Sequence, residues 1–227
     1  MGAPRLQGSE ITTVSAAWAI FRRKRAPRLI ASAIVLALVA RIGIGAFTWR
    51  DAAAVAFMAV VYPFGEWAIH VYLLHLRPFN FRGRRIDLVS ARSHREHHES
   101  PERLDLINFG PLEALAILLL AAPAAVGIGA ALAALIPGPL PLGPLLTMLL
   151  TAYVLIGVYE WVHFLIHTAH VPHSRYYRSI WRNHRLHHFK NEHYWHGITN
   201  TLSDRVLGTN PDQRDIQRSR TARALPD

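Results

Sequence analysis

Apolar residues in this chain gather into four long runs separated by polar stretches, over residues 29–47, 52–76, 109–136 and 145–166. A helix needs about 20 residues to cross the hydrocarbon core of a bilayer, and runs of this length are too long for buried strands. The pattern therefore predicts four transmembrane helices. It also predicts a kink at Pro123 in the third and a tight Pro-Gly turn over 137–144 before the fourth. Arg41 interrupts the first run, where a charge costs about 2.5–3.5 kcal/mol on insertion scales. It must either reach out to water or turn towards other helices.

Charge orders the segments between the runs. The chain has 227 residues, is 51% hydrophobic, and still carries a formal charge of +10. Six Lys or Arg precede the first run (Arg5, Arg22, Arg23, Lys24, Arg25, Arg28), and only Arg50 lies between the first two. Seven lie between the second and third, none in the Pro-Gly turn, and ten after the fourth. Alternating basic and nearly uncharged loops predict a multi-pass protein with both termini in the cytosol, with a bacterial inner membrane as the expected location. The basic run 21–28 reads as the flank of a membrane helix rather than a nucleic-acid patch, because an apolar run follows at once. The start of the chain does not read as a cleavable signal peptide, its basic residues coming late and its apolar run being long. There is no cysteine, which excludes disulfides, thiolate metal sites and thiol nucleophiles.

The chemistry lies in the histidines. All fourteen fall between His70 and His196, and ten form two matching sets. One is His70-x4-His75 followed by His94-x2-His97-His98; the other is His163-x3-His167 followed by His184-x2-His187-His188. EWAIHVYLLH at 66–75 is similar to EWVHFLIH at 160–167, so the sets read as two related halves serving a shared site. With the predicted topology, all fourteen fall on one side of the membrane.

Neutral imidazole is the commonest protein ligand for zinc and iron, and ten such residues exceed the needs of one mononuclear site. They read as a dinuclear metal centre. His163 and His167, four apart, share a helix face, whereas His70 and His75, five apart, stand about 140° apart on an ideal α-helix. In each His-x2-His-His box the first two are helical neighbours and the third points aside, so a box can serve two ions. His193 and His196 are candidates for extra ligands; His170 and His173 break the repeat and are set aside. Glu66 and Glu160, one turn before ligands in apolar runs, and Asp204 are candidates for carboxylates that orient imidazoles. Glu96 reads as an ordinary salt-bridging residue, and HREHH is not the HExxH of zinc peptidases.

These motifs resemble the fatty acid hydroxylase/sterol desaturase superfamily of integral-membrane di-iron enzymes, and within it most resemble the fatty acid 2-hydroxylases. The resemblance runs from Gly65 to Thr209 and rests on EWAIHVYLLHLRP, HREHH, HFLIH, HRLHH and the closing SDRVLGT at 203–209. It implies an all-α membrane protein of four transmembrane helices under a cytosolic helical cap. It implies that His70, His75, His94, His97, His98, His163, His167, His184, His187 and His188 hold two iron ions, zinc being accepted in purified material, with O2 as co-substrate. The 227 residues then form one hydroxylase domain, with a cytosolic segment over 1–28, membrane core and cap over 29–200 and a tail over 201–227. Some members carry a fused cytochrome-b5-like domain and these residues do not, so a separate electron donor is implied, cytochrome-b5-like or a ferredoxin. The chain departs from the family's pattern at Ser203 and Leu207, where Trp and Phe are usual, and at His196, where an aromatic residue precedes Gly197.

The expected activity is hydroxylation of a membrane lipid, a fatty acyl chain first, with carotenoid or sterol hydroxylation or desaturation as the alternative. Arg92, Arg175 or Arg182 would suit an anionic head group, though positive-inside bias explains them as well. From another class, a non-catalytic metal-binding or transport protein fits less well, because transporters hold ligands near the bilayer midplane.

Overall fold

The computed structural model describes residues 6–135 and 141–226. Nearly all regular structure is helical: α1 (Val14–Phe21), α2 (Arg25–Ile44), α3 (Trp49–Ala68), α4 (Val89–Glu99), α5 (Pro111–Leu135), α6 (Leu142–Ile166), α7 (Arg175–Phe189) and α8 (Leu202–Val206). Between α3 and α4 lie one turn of π-helix (Ile69–Leu74) and a small hairpin of β1 (Phe79–Phe81) and β2 (Arg84–Ile86). Gly83, with φ +76°, makes the hairpin turn. The protein is an all-α membrane protein in the sense expected, with this ribbon as a small addition.

Among the described residues, four helical segments are long and apolar enough to cross a membrane: Arg25–Ile44, Trp49–Leu74, Pro111–Ala131 and Leu142–Ile166. These match the four apolar runs. The first begins four residues earlier than its run, at Arg25, and Pro123 lies within α5 without ending it. Residues 137–140 of the predicted 137–144 turn lie outside the described residues, and Leu142–Pro144 already belong to α6. Only 17–22% of each apolar stretch is buried inside the molecule, so the remainder is surface that water would not tolerate and lipid would.

The chain divides into two compact units that interleave along the sequence. One holds Arg22–Tyr62 and Gly110–Glu160, hence the greater part of the four spans. Its interior includes Ala54, Ala125 and Met148, with Phe57 and Ile128 packed against them. Arg41 does not reach outward. It is fully buried, its guanidinium donating to Asp51 at 2.6 and 3.0 Å, to Thr147 Oγ1 at 2.8 Å and to the Gly45 carbonyl at 2.7 Å, with the Phe47 ring 3.8 Å away. Asp51 is satisfied further by the Thr48 N–H at 2.8 Å and the Thr147 hydroxyl at 2.6 Å. An intramembrane charge is tolerable when paired and hydrogen-bonded in this way.

The other unit holds the chain up to Phe21, then Pro63–Phe109, and the chain from Trp161. Its hydrophobic core is built by α1, an element that the hydrophobic pattern alone did not single out. Ala17 and Phe21 pack with Leu104, Ile107, Phe164 and Leu165, and the rings of Trp18, Phe21, Trp161 and Phe164 contact one another at 5.1–6.4 Å between centroids. Every histidine of the chain lies in this unit, carried by the π turn and its end, α4, the end of α6, the segment between α6 and α7, α7 and the segment after it.

Candidate metal centre

Ten histidines converge into two groups of five. In the first, one ligand nitrogen from each of His70, His75, His94, His98 and His187 lies within 4.8 Å of all the others; in the second, the same holds for His97, His163, His167, His184 and His188. These are the ten residues singled out from the sequence, and each group takes four from one half of the chain and one from the other.

The local helix geometry explains the sorting. His163 and His167 are four apart on α6 and share a face, as expected. His70 and His75 meet although they are five apart, because the π turn closes the His75 N–H onto the His70 carbonyl at 3.2 Å and sets their rings 5.0 Å apart. An i→i+5 turn stacks residues five apart as an α turn stacks residues four apart. The boxes correct one expectation. The first and third histidines share a group (His94 with His98, His184 with His188), and the middle one, His97 or His187, turns to the other group. On an α-helix residues four apart differ by only about 40° and residues three apart by about 60° to the opposite side, so packing partners decide the split. Here His97 faces His163, His167 and His188, while His187 faces His70 and His75.

Backbone carbonyls orient the rings. Nδ1 of His70 lies 2.6 Å from the His196 carbonyl, Nδ1 of His187 2.8 Å from that of Tyr194, and Nδ1 of His98 2.8 Å from that of Ala222. Each Nδ1 therefore carries the proton, and each Nε2 points inward with a lone pair. The consequence is a test of metal fit. Nε2 of His98 and of His187 stand 3.2 Å apart, two acceptors with no proton between them. Further Nε2 pairs lie at 3.1 Å (His94, His98), 2.9 Å (His167, His184) and 3.0 Å (His184, His188). Nitrogens that bind one ion at about 2.1 Å stand roughly 3 Å apart, so these separations fit ligands of a shared cation. Both ring nitrogens of His97 and Nε2 of His75 are buried with no hydrogen-bond partner among the described residues. The donor set fits two transition-metal ions, one per group.

Protonation state agrees with metal binding. Burial first, then repulsion from neighbouring imidazoles, holds His75, His94, His97, His167, His184, His187 and His188 well below the ordinary histidine range. Burial lowers His98 to about 4, against the raising effect of its bond to Ala222. Neutral imidazole is the form that binds metal.

The remaining expected residues hold other places. His193 is exposed, 68% for its side chain, and stands beside Glu192 rather than within either group. His196 is buried with its ring 5.3–5.9 Å from those of His70, His75 and His187, at the border of the first group, where its carbonyl orients His70. Glu66 and Asp204 bind backbone: Glu66 accepts from the N–H of Ile198 at 2.5 Å and of Thr199 at 2.9 Å and from the Thr199 hydroxyl, and Asp204 accepts from the N–H of His196 at 2.9 Å and of Gly197 at 2.7 Å. They clamp the loop that presents the His196 carbonyl. Trp195 sits in the left-handed region at φ +58° while fully buried, a local strain of about 1–3 kcal/mol that the clamp sustains. Glu160 is fully buried one turn before His163. Arg92, Arg175 and Arg182 are all exposed, as flanking charge would be.

One ligand in each group, His75 and His167, is only part-buried. A cavity of about 590 Å³ opens beside His167, bordered by His170, Arg178, Trp181 and Arg185. The orienting carbonyls of Tyr194, His196 and Ala222 escape a sequence reading because a main-chain oxygen has no residue signature.

The fold is similar to a solved structure described as full-length Scs7p with only its hydroxylase domain visible, over 92% of this chain and 70% of that one, with a TM-score of 0.59. The sequences are 19% identical, so that likeness concerns the fold. No curated protein matches the chain. Residues 55–209, well over half of it and including every histidine of both groups, match the family described as fatty acid hydroxylase. Together with its four apolar spans and paired histidine groups, this match establishes that the chain belongs to the fatty acid hydroxylase family.

Proposed function

We propose that the protein is a membrane-bound, O2-dependent di-iron monooxygenase that hydroxylates a fatty acyl chain of a membrane lipid. The observation that carries the reading is the pair of five-histidine groups, in each of which one nitrogen from every residue lies within 4.8 Å of all the others. When bound, two irons supply the redox chemistry of dioxygen cleavage: one oxygen atom enters a C–H bond, the other leaves as water, and an external donor supplies two electrons while solvent supplies two protons. All-imidazole donor sets suit iron and also accept zinc, so purified material can carry either.

The chain's own residues have distinct tasks in this reading. The ten imidazoles hold the ions and exclude water from the space between them, eight of the ten being buried. Carbonyls of Tyr194, His196 and Ala222 keep three ligands in the Nδ1–H tautomer. Glu66 and Asp204 keep the 195–199 loop in place. The spans bring an acyl chain to the centre from the lipid phase, and alternating loop charge supports a cytosolic face for the histidines and both termini. A bacterial inner membrane and a cytochrome-b5-like or ferredoxin donor complete the proposal, with the 227 residues acting as one hydroxylase domain.

The test is mass spectrometry of total lipids from cells expressing the protein beside a His187→Ala control. Acyl chains heavier by one oxygen, present only with the unaltered protein, are the expected result. Oxygenated carotenoids or sterols without altered acyl chains would move the reading to another branch of the superfamily. Metal binding with no oxygenated product in the presence of a donor and acyl lipid would overturn it.

A further inference from the structure

Three ligands of the first histidine group have their Nδ1 held by a carbonyl, and two of those carbonyls lie in the loop after α7, within the family match. The third does not. His98 bonds to Ala222, thirteen residues beyond the last residue matched to the family. We infer that the segment 219–223 is a strap that completes the first metal group by fixing His98, and so sets how tightly that ion is held, an inference that rests on the two-metal reading above.

The strap is built at both ends. Glu192, almost fully buried, accepts from the hydroxyls of Ser219 at 3.0 Å and Thr221 at 2.5 Å, and the Ser219 N–H donates to the Lys190 carbonyl at 2.8 Å. On the far side Arg223 donates to the Glu99 carbonyl at 2.8 Å, next to His98 in sequence, and its guanidinium lies 5.5 Å from the Phe189 ring. Ala222, between these anchors, is 4% exposed although neighbouring residues are largely in solvent. A small residue lets the backbone approach until its carbonyl reaches the imidazole. The anchors are thus attached to both boxes: Lys190 and Glu192 follow α7, while Glu99 ends α4.

An imidazole that loses such a partner can rotate or take the other tautomer, which turns a lone pair away from the ion. Loss of an outer partner of this kind weakens metal binding by about 10–100-fold. The effect should fall on one ion, because His97, the ligand that the same box gives to the second group, has no hydrogen bond to the strap among the described residues.

The experiment uses the 227-residue chain in detergent, loaded with 57Fe, against a chain ending at Arg218 and against Glu192→Ala. Iron per chain is followed under chelator competition, with Mössbauer spectra of the retained iron. The expected result is two irons held by the unaltered protein, and in both variants one iron lost at about 10–100-fold lower chelator concentration while the other keeps its spectrum. Glu192→Gln, which still offers an oxygen to both hydroxyls, should restore both. If the shortened chain fails to fold, Glu192→Ala decides alone. Two irons held with unchanged affinity and spectra in the variants would overturn the strap; fewer than two irons in the unaltered protein would overturn the two-metal reading instead.

Discussion

His75 donates its backbone N–H to the carbonyl of His70, five residues earlier, and this π turn is what sets the two imidazoles side by side. An α-helix continued through the same residues would hold them about 140° apart. The spacing that looked unfavourable on an α-helix is the spacing a π turn requires.

Deleting Tyr72, whose side chain is exposed, tests this directly. It removes the extra residue, so the two histidines become four apart, and an α turn through them should keep both on one face as α6 does for His163 and His167. The first group should therefore keep its metal, and metal per chain should stay at two. A fall to one would show that the pair needs the π turn itself and not merely a shared helix face.

The exchange of His97 and His187 between groups makes a paired prediction. His187→Ala should deplete the first site and His97→Ala the second, although each residue belongs to the opposite half of the sequence. Removing a direct ligand should cost more than the 10–100-fold typical of outer partners, so activity should fall by at least about 100-fold in both. His170→Ala, outside both groups, should retain two metals. Metal analysis of the three variants checks all of it.

Glu66→Ala leaves the buried N–H groups of Ile198 and Thr199 without their acceptor, at about 1–3 kcal/mol each. The loop that orients His70 should loosen, lowering both thermal stability and affinity for the first metal. Glu66→Gln should recover most of the affinity. Equal metal affinity in wild type and Glu66→Ala would show that the loop holds without the clamp.

Arg41 and Asp51 should couple strongly. Removing either alone leaves a buried charge uncompensated, at about 3–5 kcal/mol, whereas Arg41→Met combined with Asp51→Leu should be less destabilising than either single change. Unfolding of the purified protein in detergent would show the non-additivity, and additive losses would mean that the two charges stand independently.

What the sequence determined by itself is what local composition and spacing can carry. The four spans follow from apolar length, since the backbone of any such run must satisfy itself as helix in lipid. The ten candidate ligands follow from residue type and from short intervals along single helices. Tertiary structure alone decided the rest, because it depends on contacts between residues distant in the chain. His94 and His98 lie together and His97 apart because His70 and His187 face the first two while His163, His167 and His188 face the third. Arg41 is buried because Thr147, 106 residues later, shares its bond to Asp51. The N-terminal helix joins the histidine-bearing unit because Phe21 finds Phe164. The carbonyls that aim the imidazoles are main-chain atoms that every residue possesses, and only folding selects the ones at 194, 196 and 222.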